Sequence, residues 1–292
     1  MPSKSQSILA IVGTAIALSV ACGPPRPPKD RLYINDFDHG PEYRAWSPAE
    51  IFQEPGSLAL ATAVENDDVD EITRLAATGI DVNAEGKDQL TQLSWAFLRR
   101  KRAAFAKLLE SGANPNVGVM NGTPLVFLAS RISDDSDYLR LLLQFHADPN
   151  AEFSQDKLVP FDGVIWMAQG EASRRNTELL IDGGANLNHR GLIGNTPAMR
   201  AVVQYELEVA HMILAAGADL APTNENGHDI VYAVISRDFD HPEAKRWCER
   251  ILSLLREKGA DFAPAEKRLA ILDPKRFRRW QDEEAERRRR GE

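Results

Sequence analysis

Two cysteines, Cys22 and Cys248, are all that 292 residues contain, too few for a disulfide framework or a paired CxxC metal site. Histidine is as thin. His39, His146, His189, His211, His228 and His241 are scattered with no ligand-like spacing, and no His-Glu-x-x-His pattern occurs to seat a catalytic zinc. A glycine-rich loop ending in Lys-Ser/Thr, which would cradle phosphates, is missing, as is the Gly-x-Ser-x-Gly elbow of a serine hydrolase. The acidic run Asp134-Asp135-Ser136-Asp137 lacks the glycine and distal Glu of a calcium loop and reads as a solvated turn. Lys and Arg number 35 against 43 Asp and Glu, a formal charge of -8; binding to duplex nucleic acid needs a dense basic surface that this balance does not supply. No catalytic residue, metal ligand or cofactor is expected.

What the chain has is repetition. The stretch Gly194 to Leu220, GNTPAMRAVVQYELEVAHMILAAGADL, reads as a turn, a short helix opened by Thr196-Pro197, a longer helix and a Gly-Ala-Asp stop. Proline loses nothing in the first helical turn, where its missing donor has no partner, and the threonine before it caps. Gly217 supplies the left-handed conformation in which helices end. The same stop recurs at Gly79-Ile80-Asp81, Gly112-Ala113-Asn114, His146-Ala147-Asp148, Gly184-Ala185-Asn186 and Gly259-Ala260-Asp261, at spacings of 33, 34, 38, 33 and 42 residues. Such a period marks a stacked solenoid. His146 puts a non-glycine residue where a strained turn is needed. The two wide spacings are expected to place about five extra residues near 151 to 160 and about nine between the helices of the last unit.

Thr123-Pro124-Leu125 and Thr196-Pro197 are similar to the helix-opening motif of the ankyrin repeat, and Leu108-Leu109, Leu142-Leu143, Leu179-Leu180 and Leu254-Leu255 to its paired leucines. The resemblance covers residues 57–263. It implies an all-α solenoid of about six helix-turn-helix units, capped by 32–56 on one side and by 264–292, a cap and charged tail, on the other. In the cap, Ser47-Pro48-Ala49-Glu50 has capping-box spacing. In the fourth unit Ile165 to Ala168 is expected to open the helix pair. Trp95, Phe127, Trp166 and Tyr232 fall near one inner-helix position and are expected to fill space between repeats.

By the same resemblance, contact residues come from hairpin tips and inner-helix ends. Those positions are Glu85, Lys87, Asp88 and Leu90, Leu98 and Arg99, Met120 and Asn121, Arg131, Arg190, Leu192 and Ile193, Gln204 and Tyr205, Asn224 and Asn226. Leu90, Leu192 and Ile193 are expected as exposed apolar members of polar tips. Cys248, beside Trp247 in an apolar helical pattern, is expected to be an inert buried thiol.

The N-terminus is of another kind. Ile8 to Val20 is almost wholly apolar and too short to cross a bilayer comfortably, so 1–21 reads as a secretory signal. Val20-Ala21-Cys22-Gly23 resembles a bacterial lipobox, which implies lipidation at Cys22 and sorting to the periplasmic face of the outer membrane; a soluble periplasmic form is the alternative. Residues 22–31, proline-rich and charged, make an extended tether. An ankyrin array at a bacterial envelope resembles the immunity proteins that neutralise lipase effectors of type VI secretion. That implies one protein partner, a lipase-like toxin. A periplasmic scaffold without inhibitory role is the second reading, and an enzyme the third.

Overall fold

The chain divides into two units, Met1–Asp36 and Phe37–Glu292. The computed structural model describes residues 46–119, 122–132, 134–153, 157–167 and 170–291, with backbone only at Met167 and Leu192, and all of these belong to the second unit. The expected signal segment, Cys22, the tether, Met120 and Asn121 lie outside the described residues.

Helix pairs follow one another as expected. After a short α1 (Pro48–Ile51), they are α2 (Pro55–Glu65) with α3 (Val69–Ala77), and α4 (Gln92–Leu98) with α5 (Arg102–Glu110). Next come α6 (Leu125–Ser130) with α7 (Asp137–Gln144), and α8 (Pro160–Met167) with α9 (Gly170–Asp182). Then α10 (Pro197–Val203) pairs with α11 (Leu207–Ala215), and α12 (Ile230–Ile235) with α13 (Pro242–Glu257). A seventh pair, α14 (Ala263–Leu272) and α15 (Pro274–Arg290), closes the stack. The short helices start where a side chain replaces a lost backbone partner: Thr91, Thr196 and Asp229 accept the N–H groups of Ser94, Met199 and Tyr232 at 3.2, 3.4 and 2.7 Å. Thr123-Pro124 differs. Those residues form β2 (Thr123–Pro124), antiparallel to β1 (Gly118–Val119), and the helix begins one residue later, at Leu125.

The stops work as spacers and as joints. The glycine stops have φ between +75° and +105°, and His146 adopts the same region at +67°, a conformation that costs an L side chain about 1 kcal/mol. Two residues past each Asp or Asn of the stop, an asparagine side chain reaches the next repeat. Asn83, Asn116, Asn150 and Asn188 accept the N–H groups of Asn114, Asp148, Asn186 and Asp219 at 2.6–2.8 Å. The first three also donate to the carbonyls of Gly112, His146 and Gly184. At the fifth place Ala221 stands instead, and this ladder ends.

The core lies between neighbours. At least one leucine of each paired set is fully buried: Leu108, Leu142, Leu180 and Leu255. Phe97, Phe105 and Tyr138 meet edge-on or tilted at 5.1–6.2 Å across repeats two and three. At the N-terminal side the Ser47 N–H donates to Glu50 at 2.6 Å, and the short helix carries Ile51 and Phe52 onto the first repeats. Phe52 packs edge-on against Trp95 at 6.3 Å. The turn at Gly86 comes so close to α1 that a Cβ there would lie 2.6 Å from the Ile51 carbonyl.

Several expectations are corrected. The wide spacings are taken up mainly by outer helices rather than loops: α9 has 13 residues and α13 has 16, against 9 in α11. The fourth inner helix opens at Pro160, not Ile165. The end of the C-terminal segment, read as a solvated tail after a cap, is helical to Arg290 and packs on its neighbours: Arg287 is buried beside Trp280 of the cap. The Trp280 indole donates to Glu266 at 3.0 Å, and Arg287 lies 5.1 Å over its ring. Burial pushes the Cys248 thiol up to about 12.

Candidate functional site

The residues expected to make contacts divide into those that the fold absorbs and those that it leaves at the surface. Leu90 is corrected outright: it is completely buried, because the hairpin folds back through a Gly86 N–H to Leu90 carbonyl bond of 2.8 Å and turns the side chain inward. Arg99 is half-buried; its guanidinium forks onto Glu65 of the previous repeat, with Nε at 2.8 Å, and lies 5.2 Å over the Trp95 ring. It serves as an inter-repeat tie. Asn224 accepts from the Asn226 and His228 backbone N–H groups at 3.0 Å and donates to Asn195 of the preceding hairpin at 2.9 Å, which occupies it between its own turn and the neighbouring one. Arg131 is half-buried, its stem against Gly163.

Lys87, Asp88, Arg190, Ile193, Gln204, Tyr205 and Asn226 are exposed. Lys87 sits 4.8 Å over the Trp46 ring. The hairpin tips of repeats five and six abut: Arg190 donates to the Thr223 carbonyl at 2.5 Å, and the Glu225 N–H donates to the Ile193 carbonyl at 3.0 Å. Asp88, Ile193 and Tyr205 hold φ between +53° and +65°. Strain of this kind in β-branched Ile193, 44% exposed, persists only where surrounding structure imposes it.

Trp166 belongs to this surface although its expected role was core. Trp95 and Phe127 are fully buried as expected, and Tyr232 stacks on His228 at 3.9 Å. Trp166 is 37% exposed, since the earlier start of α8 moves it to the helix's last turn. Val203 ends α10 at 36% exposure, and Tyr205 follows at 43%, its ring 5.6 Å from Phe239 of the next repeat. Beneath them lies a charge pair. Arg200 of α10 meets Asp162 of α8 at 2.7 Å, their side chains 9% and 1% exposed. The Arg200 guanidinium lies 5.2 Å from the Trp166 ring and fills the space beside Gly191 at the hairpin base. Burial pushes the Asp162 carboxyl up from its ordinary value, while Arg200 and the Val159 N–H at 2.9 Å pull it back. One opposite charge in each of two consecutive apolar inner helices, PFDGVIWM and PAMRAVV, is the sequence signal for this pair.

The arrangement is suited to binding. An aromatic and aliphatic strip runs over repeats four and five, from Trp166 through Val203 to Tyr205, with Ile193 at the hairpin side. Exposed apolar groups gathered over a rigid polar base mark interaction sites. Among the described residues no group of His, Cys, Asp and Glu could hold a metal, and no helix is long and apolar enough to cross a membrane. An open cleft of about 410 Å3 lies by Phe52, Glu54, Ser57 and Gly79, where Glu54 is engaged in capping the Ser57 N–H at 2.7 Å.

Comparison with known proteins agrees on the fold. No family model matches the chain. It is 26% identical over 186 residues to YahD of Escherichia coli (strain K12), a protein named for its ankyrin repeats, covering 61% of this chain and 89% of YahD. It is 30% identical over 146 residues to Protein PhlB of Serratia liquefaciens, covering 50% of this chain and 62% of PhlB. The ankyrin repeat domain of Bcl-3 superposes with a TM-score of 0.52 at 19% identity, over 70% of this chain and 86% of that domain. The architecture is that of an ankyrin-repeat solenoid.

Proposed function

We propose that this ankyrin-repeat protein is an envelope lipoprotein that binds and inhibits a secreted antibacterial lipase or phospholipase. Its repeats are a protein-interaction scaffold; the identity of the partner is the proposed step. The observation that carries the binding reading is the exposed strip of Trp166, Val203, Tyr205 and Ile193 over the buried Asp162–Arg200 pair. Aromatic anchors on a fixed base contribute most of the affinity in protein interfaces. The inhibitory reading rests on the lipobox-like Cys22 and the resemblance to ankyrin-type immunity proteins. An array of this kind blocks a lipase by covering its lid or catalytic cleft.

The test is a titration of the purified protein into a secreted antibacterial lipase from the same gene neighbourhood, should the locus encode one, with hydrolysis and complex formation measured together; a locus without such a gene counts against the inhibitory reading. Loss of hydrolysis at stoichiometric protein supports inhibition. Trp166→Ala with Tyr205→Ala is expected to weaken the complex by at least about tenfold while the array stays folded by circular dichroism. Binding without inhibition would assign the scaffold role, and no binding would end the proposal. Cys22→Ser is expected to move the protein from the membrane to the soluble periplasmic fraction; retention at the membrane would overturn the lipid anchor.

A further inference from the structure

The most exposed large apolar side chains among the described residues are far from that strip in sequence. Ile271 and Leu272 end α14 at 70% and 59% exposure, while the same hairpin buries Leu269 and Trp280. They project from the turn into α15, and the chain around them is basic. Residues 267–279 hold Lys267, Arg268, Lys275, Arg276, Arg278 and Arg279 against one acid, Asp273, in a protein of net charge -8.

Some of that charge is used inside the fold. Arg276 is buried and donates to Glu283 and to the Arg237 carbonyl at 3.1 Å. Arg279 pairs with Asp238 at 2.6 Å, and Arg268 donates to the Asn226 carbonyl. Asp273 is engaged in capping α15, accepting the Arg276 N–H at 2.9 Å. Lys267, Lys275 and Arg278 are exposed and make no ion pair with any described residue.

We infer that this turn docks on an anionic lipid surface, Ile271 and Leu272 entering the acyl boundary and Lys267, Lys275 and Arg278 meeting head groups. Exposed apolar side chains at a turn flanked in sequence by exposed cations that make no ion pair with described residues fit an interface in which hydrocarbon lies behind a negative layer. A protein hot spot would instead present aromatic groups to a matching pocket, as the strip on repeats four and five does. The inference needs neither lipidation at Cys22 nor an inhibitory partner.

The test uses the full chain carrying Cys22→Ser and Leu272→Cys, labelled with nitrobenzoxadiazole; the buried Cys248 thiol stays unreactive. Vesicles of phosphatidylethanolamine with phosphatidylglycerol are expected to shift the emission to the blue and raise it. Phosphatidylcholine vesicles are expected to leave it unchanged, as is a label at Thr73→Cys on α3. Adding Lys275→Glu and Arg278→Glu is expected to weaken vesicle partition by about tenfold or more. A label at position 272 that stays in water with anionic vesicles overturns the inference, as does an equal response to phosphatidylcholine. A shift that appears only when a protein partner is added makes the turn a protein contact and equally ends it. Sedimentation of the unlabelled chain with the same vesicles, against Ile271→Asp, gives the second reading: equal partition of the two counts against the inference.

Discussion

Inner helices α4 and α10 begin alike, each behind a threonine cap, and diverge four residues on: Trp95 in the first, Arg200 in the second. Trp95 is fully buried, covered by Phe52 edge-on and by the Arg99 guanidinium, which is itself held by Glu65 at the surface. Arg200 puts a charge into the same place, takes Asp162 from the previous inner helix as its counter-ion, and is covered by Trp166. A buried ion pair is weak support for stability, because desolvating two charges costs about as much as their attraction returns. Its presence therefore points to what it positions. The guanidinium lies 5.2 Å from the Trp166 ring and fills the hairpin base beside Gly191, so that repeat two stores its inner-helix tryptophan while repeat four, packed on repeat five, displays its own.

The largest effect that would break this comparison is removal of one charge. Asp162→Ala leaves Arg200 buried without its partner and is expected to cost about 3–5 kcal/mol, read from urea denaturation midpoints. Asp162→Leu combined with Arg200→Met is expected to return within about 1–2 kcal/mol of the parent and to fold as tightly, but with weaker partner binding. A double variant as unstable as Asp162→Ala would mean that the pair is structural, and α10 no different in kind from α4.

The two tryptophans sharpen the contrast. Trp95→Ala opens a cavity and is expected to cost about 3–5 kcal/mol. Trp166→Ala, at a site already 37% exposed, leaves no sealed cavity and is expected to cost about 2 kcal/mol, less than Trp95→Ala, and to act on binding as well. Equal destabilisation by the two, in the same denaturation assay, would return Trp166 to the core.

Much of the fold could be read beforehand because its signals are local. A stop needs a left-handed residue, a helix start needs a cap, and both leave marks at fixed places, including His146 at φ +67°. Where the mark was missing the register slipped. The fourth repeat has Val159 where repeats two and five have a capping threonine and repeat six has Asp229, so its helix start, and with it the exposure of Trp166, was misplaced. Spacing between stops counts residues without saying where they go, and both insertions lengthened outer helices, in which each added residue gains a backbone hydrogen bond. The candidate site was less open to reading. Exposure at hairpin tips depends on which way a turn folds back, and this buried Leu90 while leaving Ile193 outside. Arg99 and Asn224 were engaged by partners from neighbouring turns that no single segment contains. In the last helix, Arg287 was drawn inward by a tryptophan seven residues earlier and by two glutamates on its own face.

The smallest effect lies in the short turns that follow the two helices compared above. Repeat two turns through Arg99-Arg100-Lys101, repeat five through Gln204-Tyr205-Glu206, and Glu206 is largely enclosed. Burial, with help from Glu208, pushes its carboxyl up from 4.5 to about 7. A raised carboxyl opposes folding once it must ionise: the cost is absent below about pH 4.5, grows as pH rises and is complete above about pH 7. Glu206→Gln removes the charge and keeps the shape. The variant is therefore expected to match the parent at pH 4 and to exceed it by about 1 kcal/mol at pH 8, after allowance for solvent screening. Paired denaturation curves across this range decide the matter. A gap that does not change with pH would mean that the carboxylate reaches water, and that repeat five carries no buried charge beyond the Asp162–Arg200 pair.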